Sequence, residues 1–385
     1  MYSFEETAEQ SLLRESVRSF AKAEILPKAE KLDRDEEFSL DLTRKMGALG
    51  LFGTIVGQNY GGHAMDYLSY IIAVEELARI DGSQAATIAA HNSLGAGPIY
   101  YYGNETQKKQ ILPQLCDGNG LWAFGLTEPS AGSDAQASKT YALFDASRGE
   151  WVINGAKVWI TNSANELCQG ITVQAVTGKK SDGRAELSCF LVPVGTAGLE
   201  VRAMKNKMMW RSSNTGEVYL TNVRVKEEAM LGQQGQGFKI MMETLDNGRL
   251  SIGAMGLGLA KGAFDLALAY AKERETFGKS LAKHQVIAFK LADMATRIEA
   301  AQGLLYQACW LKQEKKPFEK LASMAKLYCS EAAEFCAREG QQIFGGYGLM
   351  KEYPIERHYR DAALLRIGEG TSEIQRIVIA KYLGC

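Results

Sequence analysis

The 385-residue sequence predicts an α+β protein of three domains, with a helical domain at each end and an antiparallel β domain between them. Apolar residues recur at spacings of three and four up to about residue 120, which is typical of helices. From Leu121 the pattern changes to short segments rich in β-branched and aromatic residues, separated by turn residues. After residue 232 the helical spacing returns. We therefore predict domains at 1–120, 121–232 and 233–385.

The first domain is predicted to be entirely helical. Its first apolar stripe runs from Leu12 to Ile25 and is followed by Pro27, which suits a segment near the end of a helix. The predicted helices are Thr7–Ala29, Leu40–Leu49, Asp66–Ile80, Gln84–Leu94 and Glu105–Cys116.

The middle domain is predicted to consist of short antiparallel strands. Asn154-Gly155 lies between two of them, and this dipeptide is a strong signal for a tight β-hairpin. The predicted strands are Trp122–Leu126, Lys139–Phe144, Glu150–Ile153, Ala156–Thr161, Ile171–Thr177, Leu187–Pro193 and Glu217–Thr221.

The last domain is predicted to resemble a four-helix bundle, because long helical patterns are joined by short loops. Its predicted helices are Phe238–Arg274, His284–Gln313, Phe318–Phe344, Ile355–Leu364 and Ser372–Leu383. A glycine-rich stretch, Gly253–Gly262, lies inside the first of them. A dinucleotide-binding fingerprint would need a preceding strand and a glycine where Lys261 stands, so we interpret the stretch as close helix packing.

The composition narrows the functional classes. With 44 basic and 45 acidic residues, the net charge of −1 argues against a nucleic-acid or anionic-membrane partner. Seven cysteines without a Cys-x-x-Cys pair indicate free thiols in a reducing compartment, and four scattered histidines predict no metal site. The longest run without Asp, Glu, Lys or Arg, Gly82–Asn104, contains several polar residues and does not suggest a membrane span. An acidic, polar N-terminus without signal-peptide character leads us to expect a cytoplasmic protein.

The segment Ile367–Gln375 places one carboxylate, Glu369, between two glycines just before a predicted helix. Ser372 and Gln375 fit a Ser-x-x-Gln capping box, which marks the start of that helix. A carboxylate on such a bend can act as a general base if apolar surroundings raise its pKa. It can equally be an ordinary acidic residue near a helix N-terminus, and this segment alone leaves both interpretations open.

Four further segments bear on function. The first, Phe124–Asp134, runs from a predicted strand into a loop that offers backbone N–H and hydroxyl groups to a ring or phosphate. Val158–Asn162, Arg274–Lys279 and Gln342–Gly348 follow it in order. Together with the segment around Glu369, these motifs resemble the acyl-CoA dehydrogenase family over essentially the whole chain. Among its subfamilies, the sequence is most similar to the bacterial short-chain (butyryl-CoA) type.

The resemblance implies an enzyme that uses FAD to convert an acyl-CoA thioester into a trans-2-enoyl-CoA. It also implies transfer of the electrons to an electron-transfer flavoprotein, and a homotetramer whose FAD sites are shared between subunits. Arg274, Thr276, Phe277 and Gln285 would reach the FAD of a neighbouring subunit. The residues implied to bind FAD are Phe124, Leu126, Thr127, Gly132, Ser133, Trp159, Ile160, Thr161, Arg274, Thr276, Phe277, Gln285, Gln342, Gly345, Gly346, Thr371 and Glu373.

The same resemblance implies that Glu369 is the catalytic base. Some family members carry this glutamate at the position of Gly248, which has no side chain to serve here. The implied substrate contacts are Ser133, Asp246, Asn247, Arg249, Gly368 and Gly370. Arg249 has a second interpretation, because it can pair with Asp246 three residues earlier on one helix face.

Gly368 departs from the pattern of the family, since many short- and medium-chain members carry a tyrosine there. The missing ring favours a branched, cyclic or otherwise bulky acyl group, unless Tyr100, Tyr101, Tyr102 or Trp210 fills the space. His91 lies on a helix expected near the pocket floor, and we interpret it as a core histidine.

Three alternatives to the dehydrogenase stay open at this stage. The first is an enoyl-CoA reductase, which runs the reaction in reverse, and the second is an acyl-CoA oxidase, which passes the electrons to oxygen. The third alternative is a non-catalytic helical scaffold with a degenerate flavin site. The intact Thr127, Ser133, Trp159, Arg274 and Glu369 argue against the scaffold.

Overall fold

A computed structural model describes residues 5–385. Its first domain is helical, as predicted, and the first helix is capped by the side chain of Thr7, which accepts a hydrogen bond from Gln10 N at 3.2 Å. The helices are α1 Ala8–Phe20, α2 Leu26–Asp35, α3 Leu40–Ala48, α4 Tyr67–Ala78, α5 Gly82–Ala90, α6 Gly97–Tyr102 and α7 Glu105–Leu115. A π-helical turn, Ala21–Ile25, joins α1 to α2, and the helical segment continues to Asp35, beyond the end predicted at Ala29.

The middle domain forms one twisted sheet. Its strands are β1 Leu121–Gly125, β2 Tyr141–Asp145, β3 Glu150–Thr161, β4 Cys168–Lys179, β5 Ala185–Pro193, β6 Leu199–Ala203, β7 Thr215–Lys226 and β8 Met230–Leu231. The spatial order is β6-β7-β3-β2-β4-β5-β8, with β1 paired to β4. The sequence analysis missed β6, whose Glu200 and Arg202 are exposed and leave little apolar alternation.

The sheet is mixed, whereas the sequence predicted antiparallel strands throughout. β1 runs parallel to β4 from Leu121 to Gly125, and β2 meets β4 in parallel at Tyr141. The other neighbouring strands of this sheet are antiparallel. Parallel neighbours need a long connection, and the β2–β3 segment supplies it between β1 and β4.

The hairpin predicted at Asn154-Gly155 is wrong. β3 continues through this dipeptide and pairs along its length with β7, with a shift in register between Ile153 and Gly155. Asn154 Oδ1 accepts a hydrogen bond from Asn222 N at 2.8 Å, which ties the irregularity to the neighbouring strand. Glycine inside a strand often marks such a bulge, and here it bends the strand without reversing it.

The third domain contains the long helices that the sequence predicted, with ends that differ by one residue or none. They are α8 Gly237–Glu273, α9 Gln285–Gln313, α10 Glu319–Phe344, α11 Ile355–Leu365 and α12 Ser372–Leu383. A small hairpin of β9 Glu275–Thr276 and β10 Lys279–Ser280 lies between α8 and α9.

The capping residue of α12 is Thr371, and the assignment of that role to Ser372 was wrong. Thr371 Oγ1 accepts a hydrogen bond from Ile374 N at 3.3 Å, whereas Ser372 Oγ is buried without a partner in the described chain. Gln375 instead donates from Nε2 to Gly370 O at 3.0 Å. The side chain of Gln375, which was expected to complete a capping box, therefore binds the loop that precedes α12.

Two apolar cores position the functional site. One runs through both helical domains and includes much of α4, α8 and α10. The other lies within the sheet. Helix α8 is long and apolar enough to cross a membrane by length and composition, but 67% of its most apolar window is buried inside the protein, which is the arrangement of a core helix.

Glycines in α8 allow neighbouring helices to approach closely, which confirms the packing interpretation of Gly253–Gly262. A Cβ at Gly256 would lie 2.8 Å from backbone atoms of Cys329 on α10. A Cβ at Gly258 would lie 2.7 Å from Ala78 Cβ and would collide with the carbonyl of Glu75 on α4. Real carbon atoms do not approach so closely, so α4 and α8 would have to move apart.

We predict that Gly258→Ala destabilises the protein although alanine is the better helix former. The overpacking cost of about 1–3 kcal/mol outweighs a propensity gain of at most about 1 kcal/mol. Gly303→Ala on α9 is the matched control, because no neighbouring part of residues 5–385 lies within 4 Å of its added Cβ. Thermal unfolding should show a lower midpoint for Gly258→Ala and an unchanged or higher one for Gly303→Ala. Equal midpoints for both variants would contradict the close packing.

Candidate active site

A cavity of about 500 Å³ lies where the two helical domains meet the sheet. Its walls come from α5, β1 with the following loop, β3, α8 and the segment that precedes α12. This size is within the usual range for a small-molecule or cofactor site. The predicted site residues that line it are Phe124, Leu126, Thr127, Gly132, Ser133, Trp159, Ile160, Thr161, Arg249, Gly368, Glu369, Gly370 and Thr371.

The other predicted site residues do not line the cavity of their own chain. Phe277, at the tip of the β9–β10 hairpin, is 96% exposed and has a left-handed backbone with φ +51°. The predicted FAD contacts outside the cavity are Arg274, Thr276, Phe277, Gln285, Gln342, Gly345, Gly346 and Glu373. They lie on or near the protein surface, around the hairpin, the end of α10 and the start of α12.

Asp246 and Asn247 also lie outside the cavity, although they were predicted to contact substrate. Asp246 Oδ1 accepts a hydrogen bond from Arg249 Nη1, so the pairing interpretation of Arg249 is confirmed. Asn247 Oδ1 accepts one from Lys312 Nζ, and its carbonyl accepts one from Tyr67 OH at 3.1 Å. Both side chains are thus engaged with the protein, while Arg249 still reaches the cavity wall.

The loop after β1 is anchored by a buried ion pair that the sequence analysis missed. Lys157 Nζ donates to Glu128 Oε1 at 2.7 Å and to Leu126 O at 3.2 Å. Glu128 also accepts from Lys139 N at 2.7 Å. Against the effect of burial, the charge of Lys157 and these hydrogen bonds lower the pKa of Glu128 to about 2. A lysine inside an otherwise apolar strand segment was the signal that pointed to this pair.

Trp159 lies next to the anchored loop and also lines the cavity. Its backbone is left-handed with φ +59°, and its side chain is 61% exposed. Val158 N donates to Thr127 O at 2.9 Å, which fixes β3 and the loop relative to one another. An exposed indole with the hydroxyls of Thr127 and Thr161 on the same cavity fits a flat aromatic ring system with polar edges, such as the isoalloxazine of FAD.

Glu369 also lines the cavity, and its backbone is left-handed with φ +51°. Its Oε2 atom is buried and has no hydrogen-bond partner within residues 5–385. Burial raises the pKa of Glu369 to about 7, while the charges of Lys326 and Arg249 act in the opposite direction. A carboxyl group with such a pKa exchanges its proton near neutral pH, as a general base must.

Gly248 on α8 provides the space for this carboxylate. A Cβ built at position 248 would collide with Glu369 Oε2. The carboxylate of Glu369 can therefore occupy its present position only because residue 248 is a glycine. The two positions at which the resemblance would place the base thus lie next to each other in this chain.

Apolar side chains form most of the remaining wall. The ionisable groups among the lining residues are Asp134, Arg249 and Glu369. The carboxyl group of Glu369 therefore lies among mostly apolar side chains, which disfavour its charged form. The apolar lining residues include Ala86, Ala89, Ala90, Leu94, Met241, Leu245, Ile252, Met255, Ile374 and Val378.

The space beside Gly368 is open. The nearest atoms to a Cβ built there belong to Leu364, at 3.7 Å, and this is an ordinary van der Waals distance. Trp210 lines the cavity, but Tyr100, Tyr101 and Tyr102 do not. The cavity thus has room next to Glu369 that a tyrosine at position 368 would occupy.

His91 belongs to the core, as the sequence analysis expected. It is fully buried, its Nε2 lies 2.8 Å from Leu115 O, and its Nδ1 accepts from Trp122 N at 3.4 Å. Burial lowers its pKa to about 4, so the ring is neutral at physiological pH. Within the described part of the chain, no group of three or more His, Cys, Asp or Glu residues is arranged to hold a metal ion.

The raised pKa of Glu369 predicts a pH dependence of stability. Between its ordinary value of 4.5 and about 7, the folded protein holds a proton that the unfolded chain releases. The wild-type protein should therefore lose stability as pH rises through this window, by about 3 kcal/mol above pH 7. Glu369→Gln should remove this loss, whereas Glu314→Gln at an exposed position should keep it.

Denaturant unfolding of the three proteins at pH 5 and pH 8 measures the effect. The informative quantity is the difference in free energy of unfolding between each variant and the wild type, and how this difference changes between pH 5 and pH 8. If the free energies of unfolding of Glu369→Gln and the wild type differ by the same amount at both pH values, the carboxyl group of Glu369 has its ordinary pKa.

Comparisons with known proteins identify relatives over the whole length of the chain. Three domain models of acyl-CoA dehydrogenases match, the N-terminal one at residues 7–119, the middle one at 123–223 and the C-terminal one at 235–384. A probable acyl-CoA dehydrogenase of Bacillus subtilis is 48% identical over 381 residues, which cover 99% of each chain.

Solved structures give the same result. Butyryl-CoA dehydrogenase from Megasphaera elsdenii superposes with a TM-score of 0.96 at 40% identity and full coverage of both chains. A chain from work on the electron transferring flavoprotein of Acidaminococcus fermentans has a TM-score of 0.95 at 41% identity, covering 99% of each chain. An acyl-CoA dehydrogenase complexed with FAD from Bacillus anthracis has a TM-score of 0.93 at 34% identity, covering all of this chain and 68% of its own.

Proposed function

The chain belongs to the acyl-CoA dehydrogenase family of FAD-dependent enzymes, and we propose that Glu369 removes the α-proton of its acyl-CoA substrate. The carboxylate of Glu369 carries this proposal. It lies in an apolar cavity, its Oε2 atom is buried without a partner, and burial raises its pKa to about 7. The other acidic residue on the cavity wall, Asp134, is exposed.

FAD, when bound, supplies the acceptor for the two electrons that leave with the β-hydrogen. The residues that would hold it are those beside Trp159 and the loop after β1, with Thr127 at the ring edge. Glu369 takes a proton from Cα, and the electron pair of that C–H bond forms the Cα–Cβ double bond as hydride leaves Cβ. The product is a trans-2-enoyl-CoA.

The proton at Cα is weakly acidic, so the developing negative charge on the thioester oxygen needs a donor. The backbone N–H of Glu369 makes no hydrogen bond in the described part of the chain, which leaves it free for this role. Apolar walls strengthen such an interaction by excluding water. One residue would thus supply both the base and a donor to the oxygen.

We infer that the acyl group is apolar and has room for a branch or ring next to the reacting carbons. Arg249 is the cation among the lining residues, and its pairing with Asp246 leaves it poorly placed to neutralise a second carboxylate on the substrate. The open space beside Gly368 supports the added bulk. A panel of straight, branched and cyclic acyl-CoAs would rank these groups.

We predict that Glu369→Gln retains FAD but is not bleached by acyl-CoA under anaerobic conditions, because the amide cannot accept the α-proton. The rate of bleaching should fall by at least about 100-fold, the usual range for the loss of a general base. Stopped-flow absorbance of the flavin measures it. Glu314→Gln should bleach like the wild type. Bleaching of Glu369→Gln at the wild-type rate would rule out its proposed role.

We propose an electron-transfer flavoprotein as the electron acceptor and the cytoplasm as the location. The similarity to the chain from the electron transferring flavoprotein study supports the acceptor. The free, mostly buried cysteines are compatible with a reducing compartment. Stoichiometric formation of hydrogen peroxide on addition of acyl-CoA in air would instead favour an oxidase.

We further propose a homotetramer in which each FAD site is completed by a neighbouring subunit. Its support is the position of the predicted FAD contacts around the β9–β10 hairpin, which lie away from the cavity of their own chain and are exposed. Phe277 in particular presents a large apolar ring to solvent, which is unusual unless another surface covers it.

Mixed oligomers test this arrangement. Glu369→Gln removes the base from one chain, and Arg274→Ala removes the phosphate partner from the other. If the sites are shared, a mixed oligomer contains some sites with both wild-type residues, and it should regain activity that neither parent has. The two chains are co-expressed with different tags, and oligomers that carry both tags are assayed.

A mixed oligomer that binds FAD but stays inactive would indicate that Arg274 serves the cavity of its own chain. A monomer that retains FAD tightly in sedimentation would contradict the proposal as a whole.

A further inference from the structure

Lys326 is a buried lysine close to the loop of the proposed base, and the sequence analysis assigned it no role. It lies on α10 with its side chain fully buried. Nζ donates a hydrogen bond to Gly370 O at 2.7 Å, and Lys326 has no ion-pair partner within 4.0 Å in the described chain. Burying an ammonium group without a close carboxylate is costly, so its position calls for an explanation.

Polar residues spaced along one face of α10 contact both sides of the site. Ser323 Oγ lies 3.3 Å from Arg249 Nη1 on α8. Ser330 Oγ donates to Leu365 O at 3.0 Å, at the start of the segment that carries Glu369. Lys326 lies between these serines and holds the end of the same segment at Gly370. The face as a whole fixes the loop of the proposed base to the helix.

The loop needs such support because its backbone is strained. Glu369 and Gly370 have φ values of +51° and +91°, and the left-handed region is unfavourable for a residue with a side chain. The carbonyl of Gly370 accepts hydrogen bonds from Lys326 Nζ at 2.7 Å and Gln375 Nε2 at 3.0 Å. Donors from two helices thus fix the peptide between Gly370 and Thr371, one residue after Glu369.

Charge is the second contribution of Lys326. The cations that act on Glu369 are Lys326 from α10 and Arg249 from α8, and Arg249 is already paired with Asp246. On α4, Tyr67 and Tyr70 are neutral, since burial raises the pKa of both phenols. Glu373 on α12 is exposed. Of the two cations that act on Glu369, Lys326 is therefore the one without an ion-pair partner in the described chain.

We propose that Lys326 is a positioning residue that holds the Gly370 carbonyl and supplies the positive charge favouring the ionised carboxylate of Glu369. The proposal rests on the proposed function of Glu369. The titration behaviour agrees with it, because burial raises the pKa of Glu369 and Lys326 opposes that rise. Burial in turn lowers the pKa of Lys326 to about 8, and Glu369 opposes that decrease.

Three substitutions separate the two contributions. Lys326→Met removes both the charge and the hydrogen bond, Lys326→Gln keeps a donor for Gly370 but removes the charge, and Lys326→Arg keeps the charge. Lys351→Met, at an exposed position, is the control. FAD content and oligomeric state are measured first for every variant.

The decisive measurement is the pH dependence of anaerobic flavin bleaching by butyryl-CoA in a single turnover. Loss of the charge should shift the midpoint of the acidic limb to a pH about one unit higher in Lys326→Met and Lys326→Gln. At a fixed pH on that limb, the bleaching rate should then be about tenfold lower than in the wild type. Lys326→Arg and Lys351→Met should keep the wild-type midpoint. A wild-type midpoint in Lys326→Gln that retains FAD would overturn the proposal.

A readout independent of turnover is the infrared band of the protonated Glu369 carboxyl, assigned by its loss in Glu369→Gln. In the wild type it should titrate near pH 7, and in Lys326→Met and Lys326→Gln its midpoint should lie about one pH unit higher. The same midpoint in the wild type and in both variants would overturn the proposal. If Glu369→Gln is inactive and the Lys326 profiles are unchanged, the role of Lys326 fails alone. If Glu369→Gln is bleached normally, the proposed function fails first.

Discussion

Glu369 keeps a carboxylate oxygen away from water and from every hydrogen-bond donor in the described chain, and the surrounding structure is built to permit this. Desolvation makes the group a stronger base, but it also makes the ionised form expensive. The missing side chain at Gly248 gives the oxygen space, and Lys326 and Arg249 limit the cost of its charge. With a side chain at position 248 the carboxylate would collide, and without either cation it would be protonated more easily.

The fold brings these features together from distant parts of the sequence. Small residues in α8 let it pack tightly against α4 and α10, so that Gly248 and Lys326 flank the same loop. The sheet contributes another part of the cavity wall through Trp159 and the loop anchored by Lys157 and Glu128. Trp159 and Glu369 both adopt left-handed backbones, a conformation that persists where neighbouring groups hold it.

Local patterns in the sequence were sufficient for most of the helices and for Glu369 itself. Helix periodicity is a local property, which is why the ends of α8 to α12 were predicted to within one residue. Asn154-Gly155 misled because pairing with β7 overrides the turn preference of a dipeptide. The parallel pairing of β1 with β4 depends on chain topology, which no local segment encodes.

The sequence analysis missed some residues of the site for the same reason. Lys157 and Lys326 appear as ordinary polar residues within a strand and a helix, and their meaning arises only when Glu128 and Gly370 approach them in the fold. Asp246 and Asn247 were assigned to substrate by resemblance, yet Arg249 and Lys312 already satisfy their side chains. A polar residue inside an apolar pattern is the sequence signal that deserved more weight.

The contact between Gly248 and the Glu369 carboxylate also constrains how such a site can change over evolutionary time. A lineage cannot acquire a glutamate on α8 while the loop glutamate keeps its present rotamer, because both groups would claim one volume. While the loop glutamate keeps that rotamer, relocation of the proton acceptor must pass through a form with neither group in place, or through simultaneous replacement. Either route crosses an inactive or improbable ancestor, so the two arrangements should persist as separate branches.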